Sequence, residues 1–187
     1  MPRAEGGERR QGSGRHRLRR TAVLALLLIG LVASIAWPPR PLLVWNVSAS
    51  APIGLYAVAP ARPRTGDMVV AWTPPAARLL AARRRYLPSN IPLVKRVRAE
   101  AGDLVCASGR IVMINGRRAA ERRGRDGRNR PMPWWEGCRR LADDEYLLLM
   151  GSPASFDGRY FGVTDRSGVV GRAMLLWERP GRPAHDA

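Results

Sequence analysis

The chain has 187 residues, enough for one domain with a buried core and a short appendage. It is strongly basic, because 32 Lys and Arg face 15 Asp and Glu and give a formal net charge of +17. Such a charge is typical of proteins that bind nucleic acid or an anionic membrane surface. The sequence has no helix-turn-helix spacing, no RNA-binding aromatic motif and no zinc-finger pattern, so we do not expect nucleic acid as a partner.

The N-terminal part predicts a basic tail followed by a membrane anchor. Residues 1–20 are rich in Arg, Gly and Ser, which is typical of a disordered cytoplasmic tail. Residues 21–37 carry no charge and would rise about 25 Å as a helix, the thickness of a thin bilayer. Because the positive charge precedes this segment, we expect residues 42 onward to be exported. The alternative is a cleavable signal peptide, since Ser34-Ile35-Ala36 is a small-x-small triplet, but the apolar stretch is long for a signal.

Residues 42–177 predict a single, mainly β, antiparallel domain. Short segments rich in Val, Ile, Leu or aromatic residues alternate with Gly and Pro, as strands and turns do. Asn115-Gly116 is typical of a tight hairpin turn. The predicted strands cover residues 55–58, 68–72, 93–99, 104–107, 111–114, 146–150 and 169–177. One helix is predicted over residues 76–85, a polar loop over 117–137 and a flexible tail over 178–187.

Several common chemistries lack the residues they need. The two histidines, His16 and His185, lie in the expected flexible ends, so neither a serine nor a cysteine nucleophile has a histidine base. A zinc site needs three or four ligands, and Cys106 and Cys138 alone do not supply them. No nucleotide-binding glycine pattern occurs in a suitable context. We therefore expect neither a metal nor a cofactor.

The composition contains one exception to its preference for arginine. Lys95 is the only lysine of the chain. Arginine stays protonated at any accessible pH, whereas a desolvated lysine becomes a neutral amine that accepts a proton. In the predicted strand LVKRV, Lys95 and Val97 share a face and Arg96 lies on the other. The alternative is a surface lysine on a basic protein, but we favour a buried general base.

A nucleophile for such a base is present in the stretch NVSASAPIGLY. It offers the hydroxyls of Ser48 and Ser50, and Pro52 and Gly54 favour a fixed bend after them. A serine hydroxyl is a weak nucleophile unless a base lies within hydrogen-bond reach. The alternative is that this stretch is only a turn before the next strand.

The order of these motifs resembles the type I signal peptidase clan, and most closely its conjugative-transfer branch of TraF-type peptidases. The resemblance covers residues 20–177. It rests on five motifs that follow one another along the chain in this order: S-x-P-x-G-L-Y, GDMVVAW, LVKRVRAEAGD, SFDGRYFG and VVGRA. It implies an antiparallel signal-peptidase-like β domain attached to one N-terminal transmembrane helix. Housekeeping signal peptidases carry Ser-Met at the nucleophile, whereas Ala51-Pro52 follow it here, which favours the conjugative branch.

The resemblance implies a role for several side chains. Ser50 matches the nucleophile of the family, Lys95 its general base and Ser48 a hydroxyl of its oxyanion hole. Ser155 matches a serine that orients the lysine amine. In the same motif, Asp157 and Arg159 match a structural ion pair.

The implied function is that of a membrane-anchored serine endopeptidase with a Ser-Lys dyad. Members of this clan cleave exported precursors after small residues, and in this branch the substrates are pilin precursors or related transfer proteins. The expected partners are therefore an exported precursor and membrane lipid, and the expected location is the bacterial inner membrane, single-pass, with the catalytic domain in the periplasm. The alternatives are a general signal peptidase and a non-enzymatic scaffold of a transfer channel. The related self-cleaving repressor proteases fit less well, because they lack an anchor and carry a DNA-binding half.

The two cysteines predict a disulfide. In an exported domain, two cysteines usually pair. Cys106 and Cys138 lie at either end of a polar segment that has little to pack with, so a bridge would hold its ends together. The alternative is two separate buried thiols.

Overall fold

The computed structural model describes residues 12–36 and 41–180, which belong to two compact units divided after Arg40. The first unit contains helix α1 (Gly12–Ala36). Among the helices described, none is both long enough and apolar enough to cross a membrane.

The structure therefore does not show the transmembrane anchor predicted over residues 21–37. Part of that prediction, Trp37, lies outside the described residues. Of the predicted tails, residues 1–11 and 181–187 also lie outside them, whereas residues 12–20 belong to α1 and Glu178 ends the last strand described.

The second unit is built from two antiparallel sheets, which confirms the mainly β prediction. In spatial order, the seven-stranded sheet contains β1 (Leu43–Asn46), β2 (Gly54–Ala59), β11 (Val169–Glu178), β3 (Met68–Ala71), β4 (Leu93–Ala99), β9 (Glu145–Leu149) and β10 (Thr164–Asp165). The four-stranded sheet contains β7 (Arg117–Glu121), β6 (Ile111–Ile114), β5 (Leu104–Ser108) and β8 (Gly137–Arg140). Two short helices, α2 (Pro75–Arg83) and α3 (Gly158–Phe161), complete the unit.

All seven predicted strands and the predicted helix are present within a few residues of their expected bounds. The prediction missed β1, β7, β8, β10 and α3. The polar loop predicted over residues 117–137 was wrong at both of its ends, where β7 and β8 lie. Strands β7 and β8 are the outer strands of the small sheet, and their residues are mostly exposed. Since neither strand buries one complete face, neither shows the alternation by which a strand is recognised in sequence.

The core is packed mainly by aliphatic side chains of the central strands. One cluster joins the small sheet to β9 through Val105, Val112 and Leu147, each fully buried. Burial of one such side chain contributes about 1.5–3 kcal/mol. Along β4, Lys95 and Val97 are buried and the two arginines beside them are exposed, as the expected alternation requires.

Two motif glycines are required by close approaches of the backbone. A Cβ atom at Gly54 would lie 2.0 Å from the carbonyl oxygen of Trp177, on the neighbouring strand β11. A Cβ atom at Gly158 would lie 2.8 Å from the carbonyl oxygen of Leu148. Any larger residue would push β2 away from β11, or α3 away from β9.

The predicted disulfide between Cys106 and Cys138 is present. The two residues are direct partners on β5 and β8, and their Cα atoms lie 4.0 Å apart. The bridge holds β8, whose residues are all exposed, to the rest of the small sheet.

Reduction of the disulfide is expected to lower the free energy of unfolding by about 3–4 kcal/mol, because it frees a loop with a sequence separation of 32 residues. Urea denaturation of the full chain in detergent, with and without reductant, measures this difference. A variant carrying both Cys106→Ser and Cys138→Ser is the control and should not respond to reductant. Two reactive thiols per chain in the denatured, unreduced protein would contradict the bridge.

Candidate active site

The turn between β1 and β2 presents two serines, and Asn46 holds it in shape. Asn46 is the last residue of β1 and is only 7% exposed. Its Nδ2 donates to the carbonyl oxygens of Ser48 (2.9 Å) and Pro52 (3.0 Å), and its Oδ1 accepts from the backbone N–H of Ser48 (3.1 Å). The side chain thus hydrogen-bonds to backbone groups on both sides of the turn. Sequence analysis did not identify Asn46, although an asparagine two residues before a turn serine is a recognisable signal.

The two residues of the predicted dyad, 45 positions apart in sequence, meet in the structure. Lys95 Nζ lies 2.7 Å from Ser50 Oγ and 2.8 Å from Ser155 Oγ. Lys95 and Ser155 are each 2% exposed. A neutral amine in this position donates one hydrogen to Ser155 and directs its lone pair at the Ser50 hydroxyl.

Burial changes the protonation of the lysine. Desolvation lowers the pKa of Lys95 from 10.5 to about 8, with Asp157 raising it and Arg159 lowering it by smaller amounts. The neutral amine, which is rare for a solvated lysine at neutral pH, is therefore populated close to pH 8.

A second hydroxyl lies beside that of Ser50. Ser48 Oγ is 2.9 Å from Ser50 Oγ, and the backbone N–H of Ser50 points toward Ser48 Oγ at 3.4 Å. The Ser48 hydroxyl and the Ser50 N–H are thus two donors next to the atom that would attack a carbonyl. Donors in this position stabilise negative charge as it develops on a carbonyl oxygen.

Asp157 and Arg159 form the buried ion pair that the resemblance implied. The Asp157 carboxylate is 0% exposed, and its Oδ1 lies 2.8 Å from Arg159 Nε. Asp157 Oδ2 accepts from the backbone N–H of Met150 (3.0 Å), and Arg159 Nη1 donates to the carbonyl oxygen of Glu121 (3.1 Å). The pair joins α3 to β7 and to the end of β9, and so fixes the segment that carries Ser155.

A cleft of about 550 Å³ opens beside the two serines and the lysine. Its apolar wall includes Phe156, whose ring packs between Tyr86 (5.3 Å between centroids) and Tyr160 (6.0 Å). Its polar wall includes Arg123, Arg125 and Asp126, from the segment that was predicted as a polar loop. Within residues 12–36 and 41–180, no group of three or more His, Cys, Asp or Glu side chains is arranged to hold a metal ion.

Comparison with known proteins establishes the family. The chain matches the model of the family "Signal peptidase, peptidase S26" over residues 15–178. Because this match covers most of the sequence, the protein belongs to the peptidase S26 signal peptidase family.

Relatives within the family place the chain in the TraF-type group. It is 30% identical over 145 residues to the plasmid transfer protein TraF of Escherichia coli, which covers 71% of this chain and 82% of the relative. It is 33% identical over 142 residues to a probable conjugal transfer protein TraF of Sinorhizobium fredii, which covers 69% and 73%. A crystal structure of a signal peptidase I from Enterococcus faecalis aligns with 19% identity and a TM-score of 0.36, covering 61% of this chain and 98% of that one.

The buried lysine should destabilise the fold in a pH-dependent manner. Between a folded pKa of about 8 and an unfolded pKa of 10.5, the unfolded state binds more protons, so stability rises with pH in this window. Lys95→Met is therefore expected to raise the free energy of unfolding at pH 7 by about 1–3 kcal/mol, and the gain should disappear by pH 10.5. Urea denaturation at pH 7, 9 and 10.5 measures it. Arg98→Met, an exposed change on the same strand, is the control, and a gain that does not vary with pH would contradict the account.

Removal of the Asn46 side chain should disturb the serine turn. Asn46→Ala leaves the backbone N–H of Ser48 without its acceptor and the carbonyl oxygen of Ala51 without the donor that lies 3.2 Å away, and we expect a loss of about 1–3 kcal/mol in stability. If the chain cleaves peptides, kcat should fall while KM changes little, because Asn46 positions the nucleophile and does not face the cleft. Thermal denaturation and steady-state kinetics test this. Unchanged stability together with unchanged kcat would contradict the positioning role.

Proposed function

We propose that this protein is a serine endopeptidase in which Ser50 is the nucleophile and Lys95 the general base. The observation that carries the proposal is the 2.7 Å contact between Ser50 Oγ and a lysine amine that is 2% exposed. A lysine whose pKa is lowered by burial is a suitable base near neutral pH, since general bases work best when their pKa is close to the working pH. A scaffold protein would have no use for such a buried amine, which makes the fold less stable.

The reaction follows from this geometry. The Ser50 oxygen bonds to the carbonyl carbon of the scissile peptide while its proton passes to the Lys95 amine. The carbonyl oxygen becomes an oxyanion, toward which the Ser48 hydroxyl and the Ser50 N–H donate. The Lys95 ammonium then gives its proton to the departing amine as the C–N bond breaks. Water then attacks the resulting ester while Lys95 accepts a proton from it. As the bond between the acyl carbon and Ser50 Oγ breaks, Lys95 returns this proton to Ser50 Oγ, and the acid product leaves.

The proposed substrates are exported precursors of conjugative transfer, such as a pilin, cut after small residues. Support comes from the family and from the two relatives that are named plasmid or conjugal transfer proteins. A general signal peptidase is the alternative within the same chemistry. It is less favoured because Ala51-Pro52, and not methionine, follow the nucleophile.

We also propose that the protein acts at the inner membrane, with its β domain in the periplasm. The uncharged segment from residue 21 supports attachment. The β domain itself exposes an apolar patch, where Trp45 of β1 and Trp177 of β11 stack 5.5 Å apart and are each about half exposed. Tryptophan in an exposed apolar patch is typical of surfaces that lie at a membrane interface.

Substitution of the dyad should abolish cleavage without unfolding the domain. Ser50→Ala removes the nucleophile, Lys95→Ala removes the base, and Lys95→Arg replaces it with a guanidinium that cannot accept a proton at neutral pH. Ser48→Ala should retain activity reduced by about 10²- to 10³-fold, the typical effect of losing one oxyanion donor. Precursor cleavage in membranes is the measurement, and circular dichroism checks the fold. An active Lys95→Arg variant would refute the dyad.

The rate should depend on the protonation of Lys95. With a pKa of about 8, the neutral fraction of Lys95 rises about tenfold between pH 7 and pH 9, and kcat/KM should rise with it and then level off. Initial rates with a fluorogenic peptide across this range test the expectation. A profile that falls above pH 7, or one that is flat, would contradict a lysine base.

A further inference from the structure

The polar wall of the cleft carries more positive than negative charge. Arg123, Arg125 and Asp126 all line the cavity that contains Ser50 and Lys95. They come from the segment between β7 and β8. These side chains face the space that a substrate would occupy. Their net positive charge should therefore influence which substrates bind.

The one negatively charged side chain named in this wall, Asp126, is already paired. The Asp126 side chain is 8% exposed and forms a salt bridge with Arg130 at 2.7 Å. It also accepts hydrogen bonds from the Tyr86 hydroxyl and from the backbone N–H groups of Arg128 and Arg130, both at 2.9 Å. Asp126 therefore holds its own loop together and is not available to neutralise the other two arginines.

Arg123 and Arg125, unlike Asp126, have no ion-pair partner among the described residues. Both are exposed. Arg125 Nη1 donates to the carbonyl oxygen of Asn129 at 2.7 Å, which leaves the rest of its guanidinium free to donate. A guanidinium pairs well with a carboxylate, because two of its N–H groups match the two carboxylate oxygens.

The backbone that carries these arginines is fixed from both sides. Arg122 is fully buried, donates to the carbonyl oxygens of Trp135 and Gly109, and packs over the ring of Trp134 at 4.7 Å. The next backbone N–H, that of Arg123, donates to the Tyr160 hydroxyl at 3.0 Å. Side chains on a backbone that is ordered before binding lose less entropy when they pair with a ligand than side chains on a disordered loop.

We propose that Arg123 and Arg125 form an anion-binding wall of the cleft that selects precursors with an Asp or Glu close to the scissile bond. This inference rests on the proposed peptidase function and specifies its substrate class. A precursor with Lys or Arg at the same position would be disfavoured by like charge. The remaining walls, which are largely apolar, would accept the small residues at the cleavage site.

The test uses the full chain in detergent and a set of fluorogenic peptides with an Ala-x-Ala cleavage sequence. In each peptide, one position flanking this sequence carries Glu, Gln or Lys, and the set covers the flanking positions one at a time. We expect at least one position where the Glu peptide is cleaved about 3- to 30-fold faster than the Gln peptide, as expected if its carboxylate forms exposed ion pairs with the two arginines. The double variant R123E/R125E should abolish this preference and favour Lys at the same position. The variant R128E, on the same loop but not lining the cleft, is the matched control and should keep the preference for Glu.

Binding of the same peptides to the S50A variant separates the two proposals. If S50A binds the Glu peptides more tightly and S50A/R123E/R125E does not, the anion-binding wall is supported. This holds even if the unaltered chain cleaves no peptide, because absence of cleavage would overturn only the peptidase function. Cleavage and binding without any difference between Glu, Gln and Lys would overturn the wall and leave the peptidase function standing. If the arginines serve an anionic membrane surface instead, R123E/R125E will sediment less with phosphatidylglycerol vesicles and will not alter the peptide preference, which also overturns the proposal.

Discussion

The burial of one amine is the constraint on which the site depends. Lys95 projects from the central strand β4 into an environment that is almost free of solvent, where its amine contacts only hydroxyl groups at close range. An ammonium in that position loses hydration that two hydroxyls cannot replace, so the neutral form is favoured. The same burial that makes the fold less stable suits the lysine to the general-base role that we propose. A guanidinium would remain charged there, so the proposed role requires a lysine in a chain that otherwise uses only arginine.

The rest of the domain supports this arrangement from three directions. The large sheet supplies β4 and the edge strand β1, whose last residue, Asn46, shapes the serine turn. The ion pair of Asp157 and Arg159 holds α3 against β9 and so positions Ser155 behind the amine. The small sheet, closed by its disulfide, carries the segment that forms the polar wall of the cleft. Ser50, Lys95 and the cleft thus come from separate parts of the chain.

Much of this could be predicted from the sequence because the signals are local. The central strands are apolar and bounded by turn residues, and the motif around each site residue is short and distinctive. Asn46 was missed because its role appears only when the turn is folded around it. Arg122 and Arg123 were missed for a different reason: among many arginines, nothing local distinguishes the one that is buried from its exposed neighbour. Their positions are set by contacts with Trp134, Trp135 and Tyr160, which lie at least a dozen residues away in sequence.

The central claim, that burial lowers the pKa of Lys95 to about 8, is open to a direct measurement. Because Lys95 is the only lysine, incorporation of lysine labelled with ¹³C at Cε gives a single resonance from this side chain. Its chemical shift, followed from pH 6 to 11 in the folded protein, reports the pKa of the amine without reference to any activity. The account predicts a midpoint of about 8 in the folded chain, and a return toward 10.5 in urea. A folded-state midpoint at the ordinary value of about 10.4 would contradict it.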